Sequence, residues 1–375
     1  MPHTRFDTEA MTAVLQGWVA RESPTLDAAA VNKMQDLVQA FFSVGACHVE
    51  RIPGINGLGD TLKITAGPAN GKPPILVMSH VDTVHPLKTI ERDLPLRRDG
   101  DRLYGPGIYD MKGGAFLASE AFRDVAIKGT AQRPLVFLFT PDEEIGSPTT
   151  RAIIEDEGRR AAFALVTEPA RDGGKIVTAR KGVGRFEMHI EGRPAHSGAR
   201  HQDGRSAIRE AARQILAIEA LTDYGRGITT TVGRMQGGTA ANVIPQHAHF
   251  DVDLRVTTVE DGQHFERHIL GLQPHDPDVK LRITGSMNRP PMAKSPAIQA
   301  LYDHAFAQAA ELGFALPEAP MTGGGSDGNF TAAIGTPTLD GLGCDGDGAH
   351  TLQEHCFVSS LAPRAALMAR LLETL

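Results

Sequence analysis

The chain has few cysteines, and they form neither a disulfide framework nor a Cys-x-x-Cys metal motif. Cys47, Cys344 and Cys356 are the three cysteines among 375 residues. An odd number of scattered cysteines is typical of free thiols in a reducing compartment. The first residues, Met1–Asp7, also lack the apolar stretch of a secretory signal. These features together predict a cytoplasmic protein.

Long apolar runs and an excess of positive charge are also missing. No apolar run approaches the roughly 20 residues of a membrane-spanning helix, and the formal net charge is −7. The sequence therefore predicts neither a membrane nor a nucleic-acid partner, since nucleic-acid binding normally needs a basic surface. Hydrophobic residues make up 41% and charged residues 22%, as in ordinary globular proteins. The length favours two domains, because single cores rarely grow this large.

Three short apolar runs in the first half predict buried strands. They are Ile75–Met78, Leu135–Phe139 and Phe163–Val166, each bounded by Pro, Gly or polar residues. Segments with helical spacing, such as Gly114–Val125, lie between them. Short all-apolar strands that alternate with helices indicate an α/β fold with a mostly parallel sheet flanked by helices.

Each apolar run is followed at once by residues suited to chemistry. These segments are Ser79-His80-Val81-Asp82, Asp142-Glu143-Glu144 and Thr167-Glu168-Pro169. In open α/β sheets, ligands bind outside the carboxyl ends of the strands. His80 and Asp82 should leave their strand on the same side, since strand side chains alternate. The Asp82 carboxylate can then accept one imidazole N–H of His80 and leave the other nitrogen for a metal.

A second pattern begins near residue 181. In Arg185–Glu191 and His247–Val256, apolar and polar residues alternate, as in strands buried on one face only. Gly204–Leu221 has helical spacing between them. We therefore predict a small α+β domain inserted at 181–290, and a first domain formed by residues 1–180 and 291–375.

Several long motifs resemble one family of two-zinc amide hydrolases. They are the Pro73–Val84 segment that contains His80, the segment Tyr104–Gly114, the segment Asp142–Ser147 and the segment Gly323–Asp327. They are similar to the zinc aminoacylase/carboxypeptidase family of metallopeptidases. That family includes acetylornithine deacetylase, succinyl-diaminopimelate desuccinylase and bacterial glutamate carboxypeptidase, and the last is the most similar type.

The resemblance implies a zinc-exopeptidase-like sheet, a ferredoxin-like lid/dimerisation domain at 181–290, a homodimer and a dinuclear metal site. The ligands implied are His80, Asp110, Glu144, Glu168 and His350. Asp110 would bridge the two ions, His80 and Glu168 would complete one site, and Glu144 and His350 the other. Two histidines and three carboxylates suit two Zn²⁺ ions, with Co²⁺ or Mn²⁺ as substitutes.

The resemblance also implies catalytic and substrate-binding roles. Glu143 would act as general base and Asp82 would orient His80. The inserted domain would supply His196 for the tetrahedral oxyanion and Asn242 as a second contact. Arg289 would grip the substrate α-carboxylate, since a guanidinium suits bidentate contacts. The remaining substrate-binding candidates are Gly324 and Gly325, through their backbone N–H groups, and Arg255, which alternatively pairs with Asp251 or Asp253.

Each residue taken singly also has an ordinary structural interpretation. A lone histidine at a strand end is usually structural, and a Gly-Gly-Gly run is usually a loop. Cys344, although close to His350 in sequence, is interpreted as packing. The other histidines interpreted as ordinary residues are His201, His247, His249, His264, His268 and His355.

Three functional hypotheses follow from the motifs. The first is a zinc-dependent amidohydrolase or exopeptidase that releases a C-terminal amino acid from a small peptide or N-acyl conjugate. The second is an N-acyl amino acid deacylase of the acetylornithine deacetylase or desuccinylase type, which would use the same metal site. The third is a binding protein on a degenerate hydrolase fold, which would require loss of a ligand or of the base.

Overall fold

The computed structural model describes residues 5–43 and 45–375, and these fall into two compact units. The first unit contains the described residues up to Ala179 together with Lys294–Thr322 and Ser326–Leu375. The second unit contains Arg180–Ala293 and Gly323–Gly325. The assignment of these units as catalytic and lid domains stays a prediction.

Strands and helices alternate along most of the described chain. The strands are β1 (His48–Ile52), β2 (Thr61–Ala66), β3 (Ile75–His80), β4 (Arg97–Asp99), β5 (Arg102–Tyr104), β6 (Leu135–Thr140), β7 (Phe163–Val166), β8 (Gly182–Glu191), β9 (Thr229–Gly237), β10 (His247–Val256), β11 (Lys280–Arg289), β12 (Thr338–Leu339), β13 (Gly346–Asp347) and β14 (His355–Phe357). The helices are α1 (Thr8–Val19), α2 (Ala28–Phe42), α3 (Thr89–Arg92), α4 (Gly113–Lys128), α5 (Arg151–Arg160), α6 (Ala207–Glu219), α7 (Val259–Leu270), α8 (Pro296–Glu311), α9 (Gly328–Ala333) and α10 (Leu361–Thr374).

The first unit is built on a six-stranded sheet in the order β1-β2-β6-β3-β7-β12. The pairs β6–β3, β3–β7 and β7–β12 are parallel, whereas β1–β2 and β2–β6 are antiparallel. All residues of β3 and β6 are buried, which explains why their sequences are almost entirely apolar. The α/β fold class and the mostly parallel sheet are confirmed.

The parallel register brings the functional segments to one edge of the sheet. His80, the last residue of β3, lies opposite Thr140, the last residue of β6. On the other side of β3, Met78 pairs with Val166, which ends β7. The segments that follow these three strands therefore start side by side.

The sheet packs on a core that the apolar runs did not predict in full. Asp7 and Asp27 are the N-cap residues of α1 and α2. Their carboxylates accept hydrogen bonds from the Ala10 and Ala30 N–H groups at 2.8 and 2.9 Å. Aromatic rings from these helices, α4 and β6 then meet in one cluster. Its members are Trp18, Phe41, Phe42, Phe116, Phe122, Phe137 and Phe139.

A small antiparallel sheet in the order β13-β14-β5-β4 completes the first unit. β14 pairs with β5, so that His355 lies opposite Tyr104. This sheet could not be predicted from the sequence, because its strands have only two or three residues. Its position matters, since the loop between β13 and β14 carries His350 and the turn after β5 leads to Asp110.

The second unit is a four-stranded antiparallel sheet in the order β11-β8-β10-β9 with α6 and α7 on one face. In β10 the residues alternate strictly between buried and less buried positions. Phe186, Phe250 and Leu254 point into the core shared with the helices. The alternation in the sequence thus reflects a sheet that is covered on one face. In the described part of the chain, no helix combines the length and apolar character needed to cross a membrane.

Candidate metal centre

His80 is held in one orientation at the end of β3. Its side chain is 1% exposed, and its Nδ1 lies 2.9 Å from the backbone carbonyl oxygen of Asp82 and 3.4 Å from Oδ1 of the same residue. Nδ1–H therefore donates mainly to the backbone carbonyl, not to the carboxylate that the sequence pattern suggested. In the neutral imidazole this hydrogen bond leaves Nε2 unprotonated and available to a metal.

The Asp82 carboxylate instead connects two strand ends. It accepts hydrogen bonds from the backbone N–H groups of Glu143 and Glu144, each at 3.2 Å, and from the Thr25 hydroxyl at 2.8 Å. Glu143 and Glu144 lie in a single helical turn, Glu143–Ile145, that directly follows β6. Asp82 is fully buried and thus fixes the position of both glutamates relative to His80.

Asp110 lies between two groups of potential ligands. Its Oδ1 is 3.2 Å from Nε2 of His80, and its Oδ2 is 3.3 Å from Nε2 of His350. Glu168 Oε1 lies 3.8 Å from the same His80 nitrogen, and Glu144 Oε2 lies 3.1 Å from the same His350 nitrogen. Each carboxylate oxygen of Asp110 therefore faces a different histidine–glutamate pair.

The charged groups of this cluster shift one another's pKa values. Hydrogen bonds to Asp110 and then to Glu144 raise the pKa of His350 to about 11. Burial opposes a charged His80, yet its contacts with Asp110 and Asp82 raise its pKa well above the usual value. Although burial favours protonated Asp110, contacts with His350 and His80 hold its pKa far below the ordinary range. The metal-free cluster thus favours protonated histidines, and these protons must leave when a metal binds.

The donor set fits two divalent ions. His80, Asp110 and Glu168 offer one atom each within 4.8 Å of one another, and Asp110, Glu144 and His350 do the same. Glu144 Oε1 is buried and accepts no hydrogen bond from the described residues. A buried carboxylate oxygen without a partner is costly unless a cation satisfies it. Imidazole nitrogen and carboxylate oxygen are both good zinc ligands.

His196 and Asn242 come together in the second unit through their backbones. Ser197 N–H donates to the Asn242 carbonyl at 3.0 Å, and both side chains belong to exposed residues. Nδ1 of His196 accepts hydrogen bonds from the N–H groups of Gly198 and Ala199, each at 3.2 Å. Nε2 is consequently the nitrogen that carries the proton in neutral His196, and it can donate to an anion.

Arg289 ends β11 and is 4% exposed. Gly325 lies so near that a Cβ at this position would be 2.6 Å from Cδ of Arg289. Arg255 forms the ion pair that the sequence left open: its Nε and Nη2 donate to both carboxylate oxygens of Asp253 at 2.7 and 2.8 Å. The Gly324 carbonyl accepts a hydrogen bond from Arg180 at 3.1 Å. Substrate-binding roles for Arg255, Arg289, Gly324 and Gly325 stay predictions.

Glu354 is a residue of the first unit that sequence reasoning missed. Its carboxylate is 1% exposed and accepts hydrogen bonds from the N–H groups of Gly107, Tyr109 and Asp110, each at 2.9 Å. Oε2 also lies 2.7 Å from Nε2 of His85. A single carboxylate thus fixes the turn that presents Asp110. In the sequence Glu354 is marked only by its position four residues after His350. That position does not indicate its contact with the turn that carries Asp110.

Replacement of Glu354 by glutamine should disturb the centre without removing a ligand. The amide keeps the size of the side chain, but it brings an NH₂ group towards backbone N–H donors. We expect zinc affinity to fall about 10- to 100-fold, as for other residues that support metal ligands, with a loss of about 1–3 kcal/mol in unfolding free energy. Zinc titration and chemical denaturation measure both effects. The neighbouring exposed Gln353→Ala variant is the control, and equal zinc affinity in both variants would exclude this role.

Comparisons with known proteins agree with this arrangement. The model of Peptidase family M20/M25/M40 matches residues 76–374. Carboxypeptidase G2 from Pseudomonas sp. strain RS-16 is 30% identical over 306 residues, which cover 80% of this chain and 73% of that protein. Succinyl-diaminopimelate desuccinylase from Burkholderia multivorans is 29% identical in an alignment of 389 positions that covers 98% of this chain and 99% of the relative.

The fold has close counterparts among solved structures. Aminopeptidase PepT from Bacillus cereus superposes with a TM-score of 0.78 over 98% of both chains, at 22% identity. This likeness concerns the fold alone, whereas the family match covers most of the sequence. The resemblance seen in the motifs is therefore confirmed: the chain belongs to Peptidase family M20/M25/M40 and is a metallo-hydrolase that acts on amide bonds.

Proposed function

We propose that the protein is a dinuclear zinc-dependent amidohydrolase that releases a C-terminal amino acid, in the manner of a glutamate carboxypeptidase. The observation that carries the proposal is the position of Asp110, whose two oxygens each face a separate histidine–glutamate pair. A carboxylate in this position suits a bridge between two ions. Co²⁺ or Mn²⁺ would accept the same ligands as Zn²⁺.

His80, Asp110 and Glu168 would hold one ion, and Asp110, Glu144 and His350 the other. Ions bound there would lower the pKa of a water molecule and polarise the amide carbonyl. The hydrogen bond from Nδ1–H of His80 to the Asp82 carbonyl keeps that imidazole oriented and enhances its basicity. The ligand assignments rest on these contacts and on the family resemblance.

Glu143 is proposed as the residue that moves the proton. Its backbone is fixed by Asp82, so its side chain starts from the same turn as the ligand Glu144. A carboxylate in this position would take a proton from the attacking water and deliver it to the leaving nitrogen. Asp82 would serve as a positioning residue, since it holds both the His80 ring and the Glu143 backbone.

The second unit is proposed to act as the lid/dimerisation domain and to recognise the substrate. His196 Nε2–H would stabilise the developing oxyanion, with Asn242 beside it as a second donor. Arg289 would bind the α-carboxylate of the released amino acid, assisted by N–H groups of Gly324 and Gly325. The proposal includes a homodimer through this unit and a cytoplasmic location, both of which rest on the resemblance and on the cysteine pattern.

An N-acyl amino acid deacylase is the second candidate. The Burkholderia relative, which aligns over nearly the whole chain, is named succinyl-diaminopimelate desuccinylase. The same metal ligands and base would serve that reaction, because it also cleaves an amide. The carboxypeptidase assignment is favoured by the glycine-rich segment 323–327 and by the 30% identity to carboxypeptidase G2.

A substrate panel separates these two functions. We expect kcat/KM to be highest for dipeptides or N-acyl conjugates that end in glutamate. N-succinyl-diaminopimelate and N-acetylornithine should react at least about 10-fold more slowly, which corresponds to about 1.4 kcal/mol of transition-state binding. The opposite order would assign the chain to the deacylases.

Glu143→Gln should strongly slow turnover while the metal ions stay bound. The variant keeps the size of the side chain but removes its proton acceptor, so we expect kcat to fall by about 100- to 10,000-fold. The exposed Glu91→Gln variant is the matched control. Chelation of the wild-type protein should also abolish hydrolysis, and added Zn²⁺ should restore it. Full turnover by Glu143→Gln protein would contradict the assignment of the base.

The two glycines Gly323 and Gly325 test the role of Arg289. A methyl group at Gly325 would press on Cδ of Arg289, whereas a Cβ at Gly323 meets nothing within 4 Å. Displacement of a positioning group by about 1 Å can cost 100-fold in rate. We therefore expect Gly325→Ala to raise KM by about 10- to 100-fold for substrates with a free α-carboxylate, and Gly323→Ala to resemble the wild type. Steady-state kinetics give KM for both variants. Equal KM values would exclude the proposed role of Arg289 in binding the α-carboxylate.

A further inference from the structure

The four-stranded sheet of the second unit has one face that α6 and α7 do not cover. Glu187 and His189 of β8 point to this face, as do His249 and Asp251 of β10, because their neighbours Phe186, Met188, Phe250 and Val252 fill the core on the opposite side. The alternation of β8 and β10 thus leaves a row of polar side chains on the outer surface.

Two histidines on this face are direct partners across neighbouring strands. His189 lies opposite His249 in the antiparallel register, and their rings stack with centroids 4.9 Å apart and an interplanar angle of 24°. Oε2 of Glu187 lies 3.4 Å from Nε2 of His189. One potential ligand atom from each of these three residues lies within 4.8 Å of the other two.

Asp251 is a fourth possible ligand, and its two carboxylate oxygens have different surroundings. Its Oδ1 lies 3.1 Å from Nε2 of His249, is buried, and accepts no hydrogen bond from the described residues. Its other oxygen, Oδ2, is held by Nε of Arg234 at 2.7 Å. Arg234 thus orients the carboxylate, while Oδ1 faces His249.

We propose that Glu187, His189, His249 and Asp251 form a zinc site on the outer face of the second unit, separate from the Asp110 centre. Two imidazoles and two carboxylates match the ligand types of Zn²⁺ and neutralise its charge. A tetrahedral zinc site needs ligand atoms roughly 3.3 Å apart. The Glu187–His189 and His249–Asp251 separations are already near this value.

Glu187, His189 and His249 already offer atoms within 4.8 Å of one another, whereas Asp251 joins them at one ion only when the two rings turn. The side chains of His189 and His249 are 36% and 25% exposed, so the rings can turn from their stacked arrangement towards a common ion. Both line an open depression of about 720 Å³, through which an ion enters from solvent. Arg282 lies opposite His189 on β11, so a cationic side chain flanks the site there.

Zinc at this position would join β8 to β10 by side-chain coordination. These two strands are central in the order β11-β8-β10-β9. Since an ion that binds only the folded state stabilises it, zinc should raise the melting temperature of the protein. The role is therefore structural or regulatory for the second unit, and amide hydrolysis does not require it.

Zinc stoichiometry of the full-length, untagged protein tests the proposal. Dialysis against micromolar free Zn²⁺ should give one more ion per chain in the wild type than in the His189→Gln or His249→Gln variant. His247→Gln is the matched control, because His247 lines the same depression but lies outside the four ligands. All three variants should retain amide hydrolysis, which shows that the Asp110 centre is intact.

Thermal unfolding provides the second measurement. Added Zn²⁺ should raise the melting temperature of the metal-loaded wild type and of His247→Gln, and this additional shift should disappear in His189→Gln and His249→Gln. Equal zinc content and equal melting shifts in the wild type and in a His189→Gln/His249→Gln double variant would overturn the proposal. That result would leave the Asp110 centre and its function unaffected.

Discussion

The sharing of one carboxylate between two histidine–glutamate pairs is the constraint on which the first unit depends. Asp110 can face both pairs only if its backbone is held in one position. The buried Glu354 fixes this backbone, because its carboxylate accepts hydrogen bonds from three backbone N–H groups of the same turn. The parallel strands fix the other side, since they end in register beside one another. The site is therefore rigid because two separate parts of the fold hold it.

Asp82 has a comparable role among the ligands of the strand ends. Its carboxylate is surrounded by hydrogen-bond donors from the turn after β6 and from Thr25, while its backbone carbonyl orients His80. One short segment after β3 thus aligns the proposed ligand His80, the proposed base and the proposed ligand Glu144. This arrangement explains how such a centre can be built at the ends of strands that are otherwise mostly apolar.

Much of this organisation could be predicted from the sequence, and the exceptions have clear physical reasons. The buried strands β3 and β6 and the mostly buried strand β7 appear as apolar runs, and the motifs that follow them carry the family resemblance. The role of Glu354 could not be predicted, because it depends on backbone donors almost 250 positions away in the chain. Likewise, His249 could not be recognised as a possible ligand. Its pairing with His189 depends on strand register, which the alternation alone does not specify.

The central claim is that Asp110 bridges two metal ions, and anomalous diffraction at the zinc absorption edge tests it most directly. Crystals of zinc-loaded protein should show two peaks about 3.5–4 Å apart, the spacing of two-metal hydrolytic sites. His80 and Glu168 should contact one peak, Glu144 and His350 the other, and Asp110 both. A single peak at this centre, or two peaks without Asp110 between them, would contradict the account.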